Sequence, residues 1–587
     1  MNFVKALLTS CLGTLVAIVV LIGGIMLIIS MSGGEEVIVN ENSVLRLDLD
    51  AQIIETEKED PFGGLPIFGR ATPKPIGLAQ LRQSIANAKT DSKIKGILLS
   101  VSYPLAGYSV IEEIRQALID FRSEGKWVVA YSEVMTEPAY YLASAADKVY
   151  LNPEGEMEFN GLAIEISFFK RLFDKLDIKP EIFRVGEYKS AVEPFMLEKM
   201  SDANRLQLTE LIESIYDHVL TGISASRNIP KEKLTEISDK MLVRNASLAV
   251  EHGLVDSLMY QDQVEDELKR RLSLEADKDI EYIKYSKYKR SFSTYKDSKN
   301  EIAVIVAEGT ILPGKADGGQ EIIGSESFSK ELRKARENEK VKAIVVRINS
   351  PGGSALASDV MWREILLTTK VKPVIASMSD YAASGGYYMA MGCDTIVAQP
   401  HTITGSIGVF SVLYDASGFL NNKIGITSEE LKTGDIGELF TVSRPLTEAE
   451  KSIWQNRTNE VYETFTSKAA EGRKMTVDNI KKVASGRVWT GVQAKERGLV
   501  DILGSFEDAV EVAAAAANVK DDYRIKFYPQ YTPSFFEQLV DQFDEEDAQI
   551  KVLKEQLGEN YYLYQQWKSV KSYEGVQARM PFEMKIH

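Results

Sequence analysis

Apolar positions along the chain fall into three regimes. In residues 6–31 no charged residue occurs and most positions are apolar, a run long enough to cross a bilayer core as a helix. After Glu35 and Glu36, short β-branched runs alternate with helix-like stretches. "KGILLSV" (95–101) and "KAIVVRI" (342–348) read as buried strands. "SVIEEIRQALIDFRSEG" reads as a helix and "KWVVAYS" as the next strand, and "SDVMWREILLTTK" followed by "KPVIASMS" repeats the order. Strand, helix, strand at this spacing predicts an α/β fold with parallel strands. The last regime, residues 521–587, has a helical middle ("FFEQLVDQFDEEDAQIKVLKEQL") and no legible chemistry.

The middle regime is one unit written twice. "DSKIKGILLSVSYP" (91–104) matches "NEKVKAIVVRINSP" (338–351), and "AYYLASAADKVYLNP" (139–153) matches "GYYMAMGCDTIVAQP" (386–400), at one constant offset. "HGLVDSL" at His252 parallels "RGLVDIL" at Arg497. The copies are much longer than solenoid repeats, so they read as a duplicated domain. The predicted organisation is a short cytoplasmic stub and anchor over 1–36 and a first repeat over 37–275. A linker over 276–300, a second repeat over 301–520 and the tail over 521–587 follow. The linker region holds the basic, tyrosine-rich "YIKYSKYKRSFSTYKDSKN" (282–300). It reads as a solvated linker or exposed strand rather than a nucleic-acid surface.

Composition narrows the function. A formal net charge of −16 argues against nucleic acid as the main partner. Cys11 and Cys393 form no framework, and the four histidines (His218, His252, His401, His587) show no paired spacing. No metal is therefore expected. Lys5 before the apolar run and the two glutamates after it place the rest of the chain outside the cytoplasm, on an uncleaved anchor.

The copies differ where chemistry would sit. Ser384 in "DYAASGGYYMA" stands opposite Glu137, and Gly352–Gly353 of "NSPGGS" stand opposite Leu105 and Ala106. Conversely, no lysine stands near the place opposite Lys189 of "RVGEYKSAVEPF": in the matching stretch "LKTGDIGELF" Gly437 falls there, one residue beyond the offset of the other pairs. Each copy thus keeps half of what one site needs. A serine hydroxyl attacks only when a base removes its proton. His401, the one histidine near Ser384 in sequence, reads as a surface loop residue. A lysine serves as the base when burial keeps it neutral, which makes Lys189 the candidate. Backbone N–H groups at Gly352, Gly353 and Gly385 are candidates to hold an oxyanion.

"RINSPGGS", "YAASGGYYMA", "TGSIGVF" (404–410) and "RVGEYKSAVEPF" together resemble the long, duplicated form of the signal peptide peptidase A family. That family belongs to the Clp protease and crotonase superfamily, built from spirals of strand–strand–helix turns. The resemblance implies a serine endopeptidase that uses no cofactor. Ser384 would be the nucleophile, Lys189 the general base and Ser406 the residue orienting the lysine. Gly352, Gly353 and Gly385 would form the oxyanion hole. It further implies a homotetramer anchored in the bacterial cytoplasmic membrane, with its catalytic part on the extracytoplasmic side, degrading hydrophobic signal peptides. Three other readings share the fold: a crotonase-like acyl-CoA enzyme, which the outward orientation disfavours; an inactive membrane scaffold, in which the half-sites would decay freely; and a Ser–His–Asp peptidase of the Clp type, for which the chain offers no good histidine and aspartate.

Overall fold

The computed structural model describes residues 37–57, 74–292, 298–315, 322–528 and 576–580. The apolar run at 6–31 and the helical middle of the tail lie outside them. Among the described residues no helix is long and apolar enough to cross a membrane.

Each repeat is organised on its own sheet. In the first, the strands run in the order Ser257–Leu258, Lys148–Met157, Trp127–Met135, Ile94–Ser100, Ser43–Asp48, Tyr282–Lys284, all pairs parallel. In the second, Ile403–Gly405, Val374–Ala383, Val341–Ser350, Glu301–Glu308 and Arg524–Tyr528 are likewise parallel neighbours. Val341–Ser350 is buried at eight of its ten positions, as a parallel strand covered on both faces requires. On one face Ile344, Val346 and Ile348 share a core with Met361 and Ile365 of the helix Ala355–Thr369; on the other, Ala343 and Val345 share one with Ala509, Val510 and Ala513 of the helix Phe506–Ala516. The basic, tyrosine-rich stretch after 281 begins as a strand, one of the two readings its sequence allowed. Tyr282–Lys284 forms the edge strand of the first sheet and Tyr288 is fully buried. Arg524–Tyr528 closes the second sheet in the same way.

A third sheet mixes the two repeats. Its order is Ile322–Gly324, Thr310–Leu312, Gly352–Ser354, Gln577–Arg579, Val409–Asp415, Lys179–Val185. Val409–Asp415 of the second repeat pairs antiparallel with Lys179–Val185 of the first over seven residues, from Val409↔Val185 to Asp415↔Lys179. This ladder delivers a first-repeat segment to the second repeat.

Buried charge also joins the halves. Arg347, on the central strand of the second sheet, donates to Glu55 (2.8 Å) and Glu113 (2.9 Å) of the first repeat, and to Ser377 and Ser379. Arg82 donates to the other oxygen of Glu113 (2.7 Å). Arg347, Glu55, Glu113 and Arg82 are all buried. Removing one member strands its partners' charges away from water. Arg347→Met is therefore expected to lower unfolding free energy by about 3–5 kcal/mol, read as a shift in the denaturant midpoint of the purified chain. A shift below about 1 kcal/mol would show that the network does not hold the halves together.

Candidate active site

Lys179–Val185 ends four residues before Lys189, and Val409 lies three residues after Ser406. The antiparallel register puts both at the same end of the ladder. Lys189 Nζ then lies 2.9 Å from Ser384 Oγ, 3.0 Å from Ser406 Oγ and 3.0 Å from the Ser406 carbonyl. All three residues are fully buried. Burial drives the lysine well below its ordinary pKa, with no charged neighbour offsetting it among the described residues.

The backbone around the cluster is held in uncommon conformations. Ser384 joins Val374–Ala383 to the helix Gly385–Ala390 at φ 55° and ψ −108°, and Ser406 has φ 51°. Positive φ is rare for a residue with a Cβ, and such positions cost about 1–3 kcal/mol unless the surroundings impose them. Here they do: Ser384 N–H donates to Gly405 O (2.8 Å) and Ser406 N–H to Arg487 O (2.7 Å). The lysine loop is clamped as well. Tyr188 N–H donates to Ser485 O (2.9 Å). Gln207 donates to Tyr188 O and Ser190 Oγ while accepting from Val488 N–H. A Cβ on Gly486 would stand 2.6 Å from Lys189 Cβ, so the lysine backbone needs a glycine there. Gln207 and the Ser485–Gly486 turn were not singled out in sequence. They lie far from every motif, and only the "SGR" turn signal hints at them.

The three glycines play different parts. Gly352 N–H donates to Ser350 Oγ (3.2 Å), so it is not free for a ligand. Gly352 instead makes room, at φ 99°: a Cβ there would lie 2.7 Å from Gly385 N and 2.2 Å from the carbonyl oxygen of Ala578. That oxygen belongs to residues 576–580, which occupy the groove between Gly352–Ser354 and Val409–Asp415. Gly353 stands opposite Ala578 in an antiparallel register. The flanking pairs are bonded, Met580 N–H to Pro351 O (2.6 Å) and Ala355 N–H to Val576 O (3.2 Å). Bonded pairs recur every second residue, so Gly353 N–H falls on the Ala578 carbonyl.

His401 is not the surface residue its loop suggested. It is buried, boxed by the rings of His218 (4.7 Å), Tyr108 and Tyr141 (both 5.8 Å). Neither ring nitrogen has a hydrogen-bond partner among the described residues, so His401 makes no bond to Ser384. Glu112 completes a group with His218 and His401 whose ligand atoms lie within 4.8 Å of one another, a proximity that sequence spacing gave no sign of. In the first repeat, the position of Ser384 is filled by Glu137. It is buried and accepts from Asn160 N–H (3.1 Å) and Gly161 N–H (2.9 Å). Its carboxylate ties up backbone donors there. Asp380, four residues before Ser384, is likewise spent on structure. It accepts from Gly107, Ser109 and Val110 N–H at the start of the first-repeat helix Tyr108–Arg122. Burial pushes its pKa up to about 6.

Two α/β halves, each matched by the same family model, define the class. The chain belongs to peptidase family S49, whose model matches residues 120–275 and 367–520; it is a serine peptidase. The chain is of the long, duplicated form, as three relatives matched over most of its length show. It is 36% identical over 502 residues to "Serine protease SPPA, chloroplastic" of Arabidopsis thaliana, covering 84% of this chain and 72% of that one. It is 32% identical over 534 residues to "Protease 4" of Haemophilus influenzae (87% and 86%), and 35% identical over 489 residues to "Protease 4" of Salmonella typhi (81% and 78%). A ClpP1 mutant from Listeria monocytogenes aligns over 36% of this chain with a TM-score of 0.24 and 15% identity, which leaves the fold to be read from the strand order itself.

Proposed function

We propose that this chain is a membrane-anchored endopeptidase with a serine–lysine dyad assembled from its two repeats, degrading apolar peptides such as cleaved signal peptides. The observation that carries this reading is the 2.9 Å approach of Lys189 Nζ to Ser384 Oγ inside a fully buried cluster. A neutral amine has two N–H donors and one lone pair. The Ser406 carbonyl and Oγ take the donors, which leaves the lone pair for the Ser384 hydroxyl. Ser384 Oγ attacks the substrate carbonyl carbon as its proton passes to Lys189. The oxyanion is held by Gly353 and Gly385 N–H, and the ammonium returns the proton to the leaving amine. Lys189 then activates water against the ester. Ser406 orients the amine and Gly352 makes room for the oxyanion.

The groove suits an extended peptide, since between Gly352–Ser354 and Val409–Asp415 it already holds an extended segment, Gln577–Arg579, by strand pairing. Beside it Phe410, Val412, Ala191, Val192 and Phe195 form an apolar cluster, in keeping with apolar substrates. The run at 6–31 preceded by Lys5 supports a single anchor in the bacterial cytoplasmic membrane, with the repeats on its outer side. Exposed Leu431 and Phe440, with Ile424, Ile426, Ile436 and Val442 nearby, support association of copies into a homo-oligomer.

The pH dependence of kcat/KM tests the dyad. Only the neutral lysine is a base, so activity falls as pH drops through its pKa. The lowered pKa of Lys189 puts that fall well below the ordinary lysine value of about 10.4. With an apolar signal peptide in lipid nanodiscs as substrate, half-maximal rate is expected well on the acid side of that value. A half-maximal rate only near pH 10 would sink the buried-lysine assignment. Equal cleavage of a highly charged peptide would sink the substrate class.

A further inference from the structure

Three side chains outside the serine–lysine cluster converge where the two repeats meet. Glu112, on the helix Tyr108–Arg122, and His218, on the helix Asp202–Arg227, belong to the first repeat. His401 belongs to the second, between the strands Thr395–Ala398 and Ile403–Gly405. One ligand atom from each lies within 4.8 Å of the other two. His401 is buried, yet neither Nδ1 nor Nε2 has a hydrogen-bond partner among the described residues. Buried polar atoms are normally paired, so this imidazole calls for a partner from outside the chain. Glu112 is held ready beside it. Its Oε1 accepts from Gln116 Nε2 (2.6 Å) and its Oε2 from Tyr141 Oη. A carboxylate offers about four lone-pair sites, so capacity remains, and the two bonds fix its orientation as outer partners fix a ligating carboxylate. The His218 ring stands edge-on to His401, with centroids 4.7 Å apart.

We infer that Glu112, His218 and His401 form a binding site for one divalent transition-metal ion of the zinc class, which pins the two repeats together. Two imidazoles and one carboxylate, with water as the fourth ligand, make a tetrahedral zinc set. Bonds of about 2.0–2.2 Å put ligand atoms about 3.5 Å apart, so side-chain shifts of about 1 Å close the set. Half-buried His218 leaves a way in for the ion and its water. Arg115 sets the selectivity. Its Nε lies 3.9 Å from Glu112 Oε2 and offsets that charge, so binding rests on the imidazole nitrogens. These favour Zn2+ over Mg2+ and Ca2+, which are held by oxygen ligands. The ion acts on architecture rather than on the peptide. The strand Ile403–Gly405 runs from just after His401 to Ser406, so a metal-held His401 anchors the strand that ends beside the lysine. The absence of paired histidine spacing in sequence is no obstacle, because the ligands come from separate elements of two repeats.

Zinc alone, added to the untagged full chain in detergent after chelator treatment, tests this. Equilibrium dialysis with metal analysis is expected to find one Zn2+ per chain at micromolar free metal, in the parent and in Ser384→Ala alike. His218→Gln, Glu112→Gln and His401→Leu are each expected to bind at least about tenfold more weakly. Zinc is expected to raise the melting temperature of the parent by a few degrees, since an ion bound only by the folded chain stabilises it, and to leave those of the variants unmoved. His401→Leu changes a buried position; His218 is half-buried, so His218→Gln keeps the comparison decisive if His401→Leu fails to fold. A parent chain that takes up no Zn2+ overturns the inference. Uptake that His218→Gln and Glu112→Gln leave unchanged puts the ion elsewhere and overturns it too, as does equal displacement of Zn2+ by Mg2+ at the same concentration.

Discussion

Lys189→Met is expected to reduce peptide hydrolysis to background and, in the same chain, to raise the melting temperature. The first effect follows from chemistry: without a base the Ser384 hydroxyl stays protonated, and loss of one member of a nucleophile–base unit costs on the order of 10^4- to 10^6-fold in kcat. The second follows from burial. The folded-state pKa of Lys189 is depressed by desolvation, whereas the unfolded chain keeps a value near 10.4. Between the two, the unfolded state binds one more proton, so stability is lost as pH falls through that window. Methionine fills a similar volume and has no proton to give up. Against this stand the hydrogen bonds to the Ser406 carbonyl and hydroxyl, worth about 1 kcal/mol each. The expected net sign is stabilising at neutral pH, and the gap between variant and parent narrows toward pH 10. Calorimetry at pH 7 and pH 10 reads both points. A destabilised variant with a pH-independent gap would mean that Lys189 is charged and paired in the folded state.

Ser384→Ala is expected to lose activity to the same degree and to leave stability nearly unchanged. Alanine keeps the Cβ, the positive φ and the backbone bond to Gly405, and removes only a hydroxyl. Residues acting as one catalytic unit are strongly non-additive. The double variant with Lys189→Met should therefore be no slower than either single change, within the background of the assay. Residual rates that multiply would place the two residues in separate roles. A Ser384→Ala chain with more than about a hundredth of parental kcat would remove Ser384 from the chemistry.

How far the site could be read in sequence differs residue by residue. Ser384, Lys189 and the glycine pair stood out because duplication supplies an internal control. At matched positions one copy holds Ser384 where the other holds Glu137, and Gly352–Gly353 where the other holds Leu105 and Ala106. His401 was misjudged. A histidine after a strand in "QPHTITG" has no local mark of burial, and its surroundings, Tyr108, Tyr141 and His218, come from the other repeat. Gln207 was invisible for a similar reason. It lies on the face of a long amphipathic helix, Asp202–Arg227, where a glutamine reads as surface until the lysine loop is seen packed against it.

Alternating apolar runs and their repetition were enough to set the parallel α/β halves, because a buried strand and its covering helix write their periods locally. Divergence between the copies was enough to nominate the two halves of a site. Neither could say how the halves meet. The pairing of Lys179–Val185 with Val409–Asp415 joins strands from different repeats, and a ladder of backbone bonds leaves no mark in the side chains that form it. Residues 576–580 are the extreme case. Five residues have too few side chains to show a period, and their place depends on two strand edges left open elsewhere in the chain. Tertiary structure alone decided what lies against the serine.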